Sequence, residues 1–420
     1  MNRRKFIKTA SAGAVTTAAV ATAGHPQSGP QSARAPLPDQ QAAPAPDLGT
    51  HWTNVFEKLS AKCRDPKLSF LRREFTDPKA WCEQARKTLL ADFHYSPSAV
   101  DPAVRVLDRT DQGSYMRERL EISTTPDIRA TAYLLLPKAK TKLPGVVALH
   151  DHGGFYFWGK EKLVQVDPEN PELTKYKETY YGGRSIADEL ARLGFVVLVP
   201  DMLHWGERGL YFEADPPRIR KRTLEVTAQD VQEFNARSWQ HEELISRTAL
   251  TCGVTWSGIN AWDDIRMTEY LLTRPEVDPK RVGCLGLSLG SVRTIYLGAL
   301  HPAIRASVAV CWMAEYQGMA RNNVRNGIGF TKLVPGLYTD LDWPDIGALH
   351  WPNALMTING RKDELYPLTA AEQAVEKLRR VYAKMGAPGK FEGVFFDGPH
   401  EFNREMQDRA FGWLKKELQA

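Results

Sequence analysis

Val282-Gly283-Cys284-Leu285-Gly286-Leu287-Ser288-Leu289-Gly290-Ser291 decides how the rest of the chain is read. Val282 to Gly286 is a short apolar run that predicts a buried strand, and Ser291 to Leu300 predicts a helix. Between them stands Gly-x-Ser-x-Gly, centred on Ser288. At a strand-to-helix junction this motif holds a serine on a sharp turn, its Oγ above the edge of the sheet. The flanking glycines keep Cβ atoms out of the bend. The Leu289 N–H, at the helix start, then faces an oxyanion developing beside the serine.

Outward from this junction, apolar runs alternate with amphipathic ones. Strands are expected at Gly145–Leu149, Phe195–Val199, Ala306–Val310, Ala354–Ile358 and Phe391–Phe396. Helices are expected from Ile186 to Leu193, with Ser185 and Asp188 as caps and Gly194 as the stop, along the Ile259, Trp262, Ile265, Leu272 stripe, from Ala370 to Met385, and from Glu401 to Leu418. Arg117–Ile122 and Ala130–Leu136, separated by the turn Thr125-Pro126-Asp127, read as an antiparallel hairpin at one sheet edge. The fold class is therefore α/β: a mostly parallel central sheet flanked by helices, with an N-terminal helical extension and loop insertions.

A serine hydroxyl needs a base. In this architecture the order along the chain is Ser, acid, His. Asp363 follows the strand ending at Ile358, and His400 follows the strand ending at Phe396. Both lie past carboxyl ends of strands, where a parallel sheet assembles its site. The expected roles are Ser288 as nucleophile, His400 as general base and then acid, and Asp363 as the carboxylate orienting the imidazole. Glu364 and Asp397 are the rival acids.

Leu149-His150-Asp151-His152-Gly153-Gly154 leaves the first central strand, and its glycine pair lets backbone amides approach a substrate carbonyl. Leu289, Gly153 and Gly154 are thus the expected oxyanion hole. His152, Trp205 and Arg208 are the expected substrate contacts; for Glu207 and Arg208 a structural ion-pair role competes. A metal held by His150, His152, Asp201 and His204 is a competing reading that no further ligand spacing supports, so no metal and no cofactor are expected. Phe155 to Gly183 is rich in aromatics, and reads either as a pocket wall or as the core of an insertion. Pro216 to Ala249 reads as a surface helix or a lid. Met313 to Trp351 is a further insertion that could shape a pocket.

The 420 residues are 43% hydrophobic and 25% charged, which excludes wholesale disorder. Net charge is +5, and Arg3, Arg4, Lys5 and Lys8 supply four of those charges, so a nucleic-acid footprint is not expected. Paired arginines before an acid-free run ending Ala21-Thr22-Ala23 read as a twin-arginine-type export signal over residues 1–23. A disordered linker is expected over 24–50, a helical extension over 51–104 and the catalytic domain over 105–420. No later run has the roughly 18 apolar residues that span a bilayer. The expected location is periplasmic or extracellular. Five widely spaced Cys argue against a zinc site or a disulfide framework; a Cys63–Cys82 bridge stays open.

These pieces resemble the α/β-hydrolase superfamily, and more narrowly the dienelactone-hydrolase-like and acetyl-xylan-esterase-like bacterial hydrolases. The resemblance lies in His150 to Gly154, Gly206-Glu207-Arg208, Val277 to Val282, Gly286 to Gly290, Gly360 to Asp363 and His400-Glu401-Phe402. It implies an exported serine esterase working through an acyl-enzyme on a small-molecule or carbohydrate ester. Dienelactone hydrolases proper use cysteine where Ser288 stands, and glucuronoyl esterases place Arg where Leu289 stands. The alternatives are a serine peptidase related to prolyl oligopeptidases, for whose propeller the N-terminal region is too short, and a binding protein on a hydrolase fold.

Overall fold

The computed structural model describes Val55, residues 58–320 and residues 327–419. The expected signal over 1–23 and linker over 24–50 lie outside the described residues. The chain runs α1 (Pro78–Asp92), β1 (Arg105–Asp111), β2 (Tyr115–Ser123), β3 (Arg129–Pro137), β4 (Leu143–Leu149), α2 (Pro171–Tyr181), α3 (Ile186–Arg192), β5 (Val196–Pro200), α4 (Ala228–Thr251), α5 (Trp256–Thr273), β6 (Val277–Leu287), α6 (Leu289–Leu300), β7 (Ile304–Val310), α7 (Trp343–Ala348), β8 (Ala354–Gly360), α8 (Leu368–Lys384), β9 (Phe391–Phe396) and α9 (Arg404–Gln419), with short helical turns between.

The sheet order is β1-β2-β3-β5-β4-β6-β7-β8-β9. β1, β2, β3 and β5 pair antiparallel; β5, β4, β6, β7, β8 and β9 pair parallel. Along β4, Val146 and Ala148 face one apolar cluster while Val147 and Leu149 face another. That period of two buries both faces, so the central strands are apolar throughout. One face is covered by Ile186 and Leu190 of α3 and Met406, Phe411 and Leu414 of α9. The other is covered by Met267 and Leu271 of α5, Val292 and Ile295 of α6, and Val375 and Leu378 of α8.

The hairpin β2–β3 has the expected pairing, but the sheet edge is β1, which the sequence reading did not name as a strand. Its residues are almost all exposed, so it carries charges in place of an apolar pattern. The expected caps of α3 are also corrected. The Ser185 side chain makes no cap bond to the helix and instead accepts from Lys177 Nζ at 3.0 Å. Asp188 bonds the Tyr115 hydroxyl and the Gln165 N–H. Cys63 and Cys82 are both free thiols, so no bridge joins them.

Helix α1 packs on the α6 side of the sheet. Trp81 and Leu89 enter the core there, and Arg86 donates to Ala299 O at 2.7 Å and Leu349 O at 2.6 Å. Among the described residues no helix is long and apolar enough to cross a membrane.

Candidate active site

β6 ends at Leu287 and α6 begins at Leu289, leaving Ser288 alone on the bend with φ 56° and ψ −114°. A non-glycine residue there is strained, and the surroundings hold it. The Ser288 N–H donates to Val310 O at 2.8 Å, and its carbonyl accepts from the Val292 N–H at 3.1 Å. The glycines permit the close approach: a Cβ on Gly290 would stand 2.0 Å from Leu149 O, and one on Gly286 2.4 Å from the Gly290 carbonyl carbon. The Leu289 N–H lies in the first turn of α6, where no intrahelical acceptor exists.

Asp363 and His400 are carried by two loops clamped together. The Lys362 N–H donates to Gly398 O at 2.9 Å, and Gly360 lies against the Pro399 and Gly398 carbonyls. Asp363 Oδ1 accepts from the Leu365 and Tyr366 N–H groups at 2.9 and 3.2 Å, which leaves Oδ2 for His400 Nδ1 at 2.7 Å. Nδ1 therefore carries the proton that faces the carboxylate, and Nε2 is left as a base. Asp397, the rival acid, is exposed and pairs with Lys362 at 3.1 Å.

Tyr366 links this pair to the serine. Its hydroxyl lies beside Ser288, and its ring centroid is 5.6 Å from that of His400. Burial, then the Asp363 charge, push its hydroxyl far above the usual tyrosine range, so it stays protonated. Cys311 backs the same site: its Sγ lies within 4.8 Å of ligand atoms of Asp363 and His400. Burial and the Asp363 charge hold that thiol protonated.

The loop after β4 is braced from below. Lys162 Nζ donates to Asp151 O at 2.9 Å and His152 O at 3.0 Å, and Asp151 receives the Tyr176 and Tyr181 hydroxyls. Burial pushes the Lys162 ammonium down to about 8 against the pull of Asp151. Gly153 and Gly154 both have left-handed backbones, at φ +58° and +62°. The Gly154 N–H is already used, donating to His152 Nδ1 at 3.0 Å. With Nδ1 an acceptor, His152 Nε2 carries the proton and donates to Glu242 at 2.7 Å. Burial raises the Glu242 carboxyl, but the His152 and Tyr156 contacts outweigh this and hold it below its usual range.

Other expected contacts are placed elsewhere. The Arg208 guanidinium is paired with Asp263 at 2.8 Å and donates to Asp201 O at 3.1 Å, so it fastens its loop. Trp205 is fully buried and supports His152 by donating Nε1–H to its carbonyl at 3.1 Å. His150 accepts from the Met202 N–H and donates to Asp151 O. His204 donates to Ser238 O, and Asp201 is taken by Lys160 and Thr131. The four side chains of the metal reading are thus engaged within the protein. Phe155 to Tyr181 forms the core of an insertion, with Phe155 stacked on Tyr176 and Tyr156 on Trp205. Tyr366, Lys162 and Glu242 escaped the sequence reading; only Tyr366, three residues after Asp363, carried a positional hint.

A sheet of this order, with a strained serine after its central strand and an Asp–His pair after β8 and β9, decides the architecture. The chain has the α/β-hydrolase fold. A family model described as "Abhydrolase family" matches residues 223–395. The chain is 26% identical over 337 residues to "Putative hydrolase YtaP" of Bacillus subtilis (strain 168), covering 80% of this chain and 99% of that one. Among solved structures it is similar to a "putative acetyl xylan esterase" of Bacteroides fragilis NCTC 9343, with TM-score 0.60, 19% identity, and 83% and 82% of the two chains covered. A glucuronoyl esterase from Teredinibacter turnerae T7901 gives TM-score 0.56, 16% identity, and 85% and 90% coverage.

Proposed function

We propose that this α/β-hydrolase is an exported serine esterase that cleaves carboxylic esters through an acyl-enzyme. The supporting observation is the set of contacts around Tyr366: the serine on one side, and on the other an imidazole whose Nδ1 is tied to Asp363. Ser288 Oγ attacks the ester carbonyl as His400 Nε2 takes its proton; His400 then protonates the departing alcohol. Water repeats the sequence and releases the acid. The Leu289 and Gly153 N–H groups stabilise the tetrahedral oxyanion. Gly154 belongs to that hole as the residue that shapes the turn, since its own N–H is spent on His152.

Names of structural relatives point to acylated carbohydrates as substrates. Leu289 after the serine favours an acyl group removed from a sugar over a glucuronoyl ester. The experiment is labelling by a fluorophosphonate, with acetyl, butyryl and methyl-uronate esters assayed on wild type and Ser288→Ala. Loss of both labelling and turnover in the variant is expected; a folded wild type that neither labels nor turns over overturns the reading. Export is tested by the N-terminus of protein recovered from the periplasm, which should begin near Gly24.

A further inference from the structure

Lys332 is a buried cation with no carboxylate paired to it among the described residues. Lys332 ends the short turn Phe330–Lys332, which follows residues 321–326 and precedes α7. Two hydroxyls pin that turn: Ser246 Oγ donates to Phe330 O at 3.3 Å and Ser257 Oγ to Thr331 O at 3.0 Å. The backbone carrying Lys332 is therefore held against α4 and α5. The residue is only 6% exposed. Its ammonium lies over the Trp312 ring, 4.5 Å from the centroid.

Position makes this more than a packing detail. Trp312 follows β7 and packs on Tyr366, with ring centroids 4.9 Å apart. The nearest opposing charge is Glu242, already bonded to His152 of the loop after β4. In the sheet β6, whose end carries Ser288, lies next to β7, so Trp312 and Tyr366 put the ammonium on the β7 side of the serine. Beside it Trp312 Nε1 is also buried and lacks a hydrogen-bond acceptor. Burying such a donor without an acceptor is costly, and burying a cation without an anion more so. Lys160, Lys162, Lys177 and Arg293, buried cations among the described residues, each have a carboxylate partner.

We infer that Lys332, with Trp312 Nε1, forms a subsite for an anionic group on the substrate, most simply a carboxylate borne by the ester. The subsite rests on the esterase reading for its place in catalysis and deepens it: the enzyme selects acidic esters over neutral ones of the same shape. Burial pushes the Lys332 ammonium down to about 7, opposed by the Glu242 charge.

Two measurements test this. The first compares kcat/KM for methyl 3-O-acetyl-galactopyranoside and for the same acetate on methyl galactopyranosiduronate. Wild type should favour the acid by at least tenfold, Lys332→Met should bring the ratio to about one, and Lys332→Arg should retain part of the preference. A wild-type ratio near one, or a preference that survives in Lys332→Met, overturns the proposal. The second is calorimetry on Ser288→Ala with methyl galactopyranosiduronate against methyl galactopyranoside, and benzoate against benzyl alcohol. Tighter binding of the acids, lost when Lys332→Met is added, is expected; equal binding within both pairs overturns the subsite. Failure of the esterase reading shows separately, as a folded enzyme that takes no fluorophosphonate at Ser288.

Discussion

The Tyr366 hydroxyl lies beside Ser288, and its ring centroid is 5.6 Å from that of His400. Tyr366→Phe keeps the ring and removes the hydroxyl. Steady-state kinetics should show kcat/KM falling about tenfold, roughly 1.4 kcal/mol of transition-state stabilisation. Tyr366→Ala also frees the imidazole face, and should lose on the order of a hundredfold or more. A Tyr366→Phe enzyme indistinguishable from wild type would remove the hydroxyl from the mechanism.

Asp363 divides its two oxygens between backbone amides and His400. Asp363→Asn offers the imidazole an amide in place of a carboxylate and favours the wrong tautomer. By analogy with the serine-protease case, kcat should fall by about three to four orders of magnitude. Asp397→Asn should leave kcat within about twofold, because Asp397 pairs with Lys362 at the surface. The two kcat values together decide between the acids.

The loop after β4 gives a contrast between adjacent glycines. A Cβ on Gly153 would stand 1.7 Å from the Tyr176 hydroxyl oxygen, in a backbone already at φ +58°. Gly153→Ala must therefore push the loop off Tyr176 and disturb the oxyanion hole, with activity down about a hundredfold. Gly154 has open space around its Cβ direction, and pays only for its left-handed backbone, about 1–2 kcal/mol. Gly154→Ala should lower Tm modestly and keep most activity. Equal loss in both variants would mean that backbone strain, and not the Tyr176 contact, controls the loop.

The parts legible in the sequence are those whose cause is local. The Ser288 junction is visible because glycines must flank a bend this tight, and Asp363 and His400 because each follows an apolar strand at the same end of the sheet. β1 is illegible because an exposed edge strand needs no apolar alternation. Arg208 and Trp205 follow a strand end, as a substrate contact would; their burial depends on Asp263 and His152, which are distant in sequence. Lys332 had no local signal at all. A lysine after Phe330-Thr331 looks like any surface lysine until Ser246 and Ser257 draw its backbone inward.

Lys162 shows what that kind of long-range closure contributes to stability. Its ammonium satisfies two carbonyls of the loop that carries Gly153. Lys162→Met leaves both buried without a donor and leaves Asp151 without its nearby cation, 3.6 Å away. Denaturant unfolding should show a loss of about 2–5 kcal/mol. Retained stability would mean that the Tyr176 and Tyr181 hydroxyls alone hold Asp151.

Lys332 should behave in the opposite sense. Removing a buried cation that lacks a partner relieves a cost, so Lys332→Met, whose thioether packs on Trp312, should raise Tm at pH 7. The size of the gain depends on pH. The ammonium titrates at its ordinary value of 10.5 in the unfolded chain and is pushed down to about 7 in the folded one. Between those values the unfolded chain holds a proton that the folded chain has released, so wild-type stability from this group rises with pH. Methionine has no such dependence. The Tm advantage of Lys332→Met should therefore be greatest at and below pH 7 and shrink steadily toward pH 10. A Tm below wild type at pH 7, with a gap that does not change with pH, would show that the ammonium is stabilised in place and that no anion is needed to complete its surroundings.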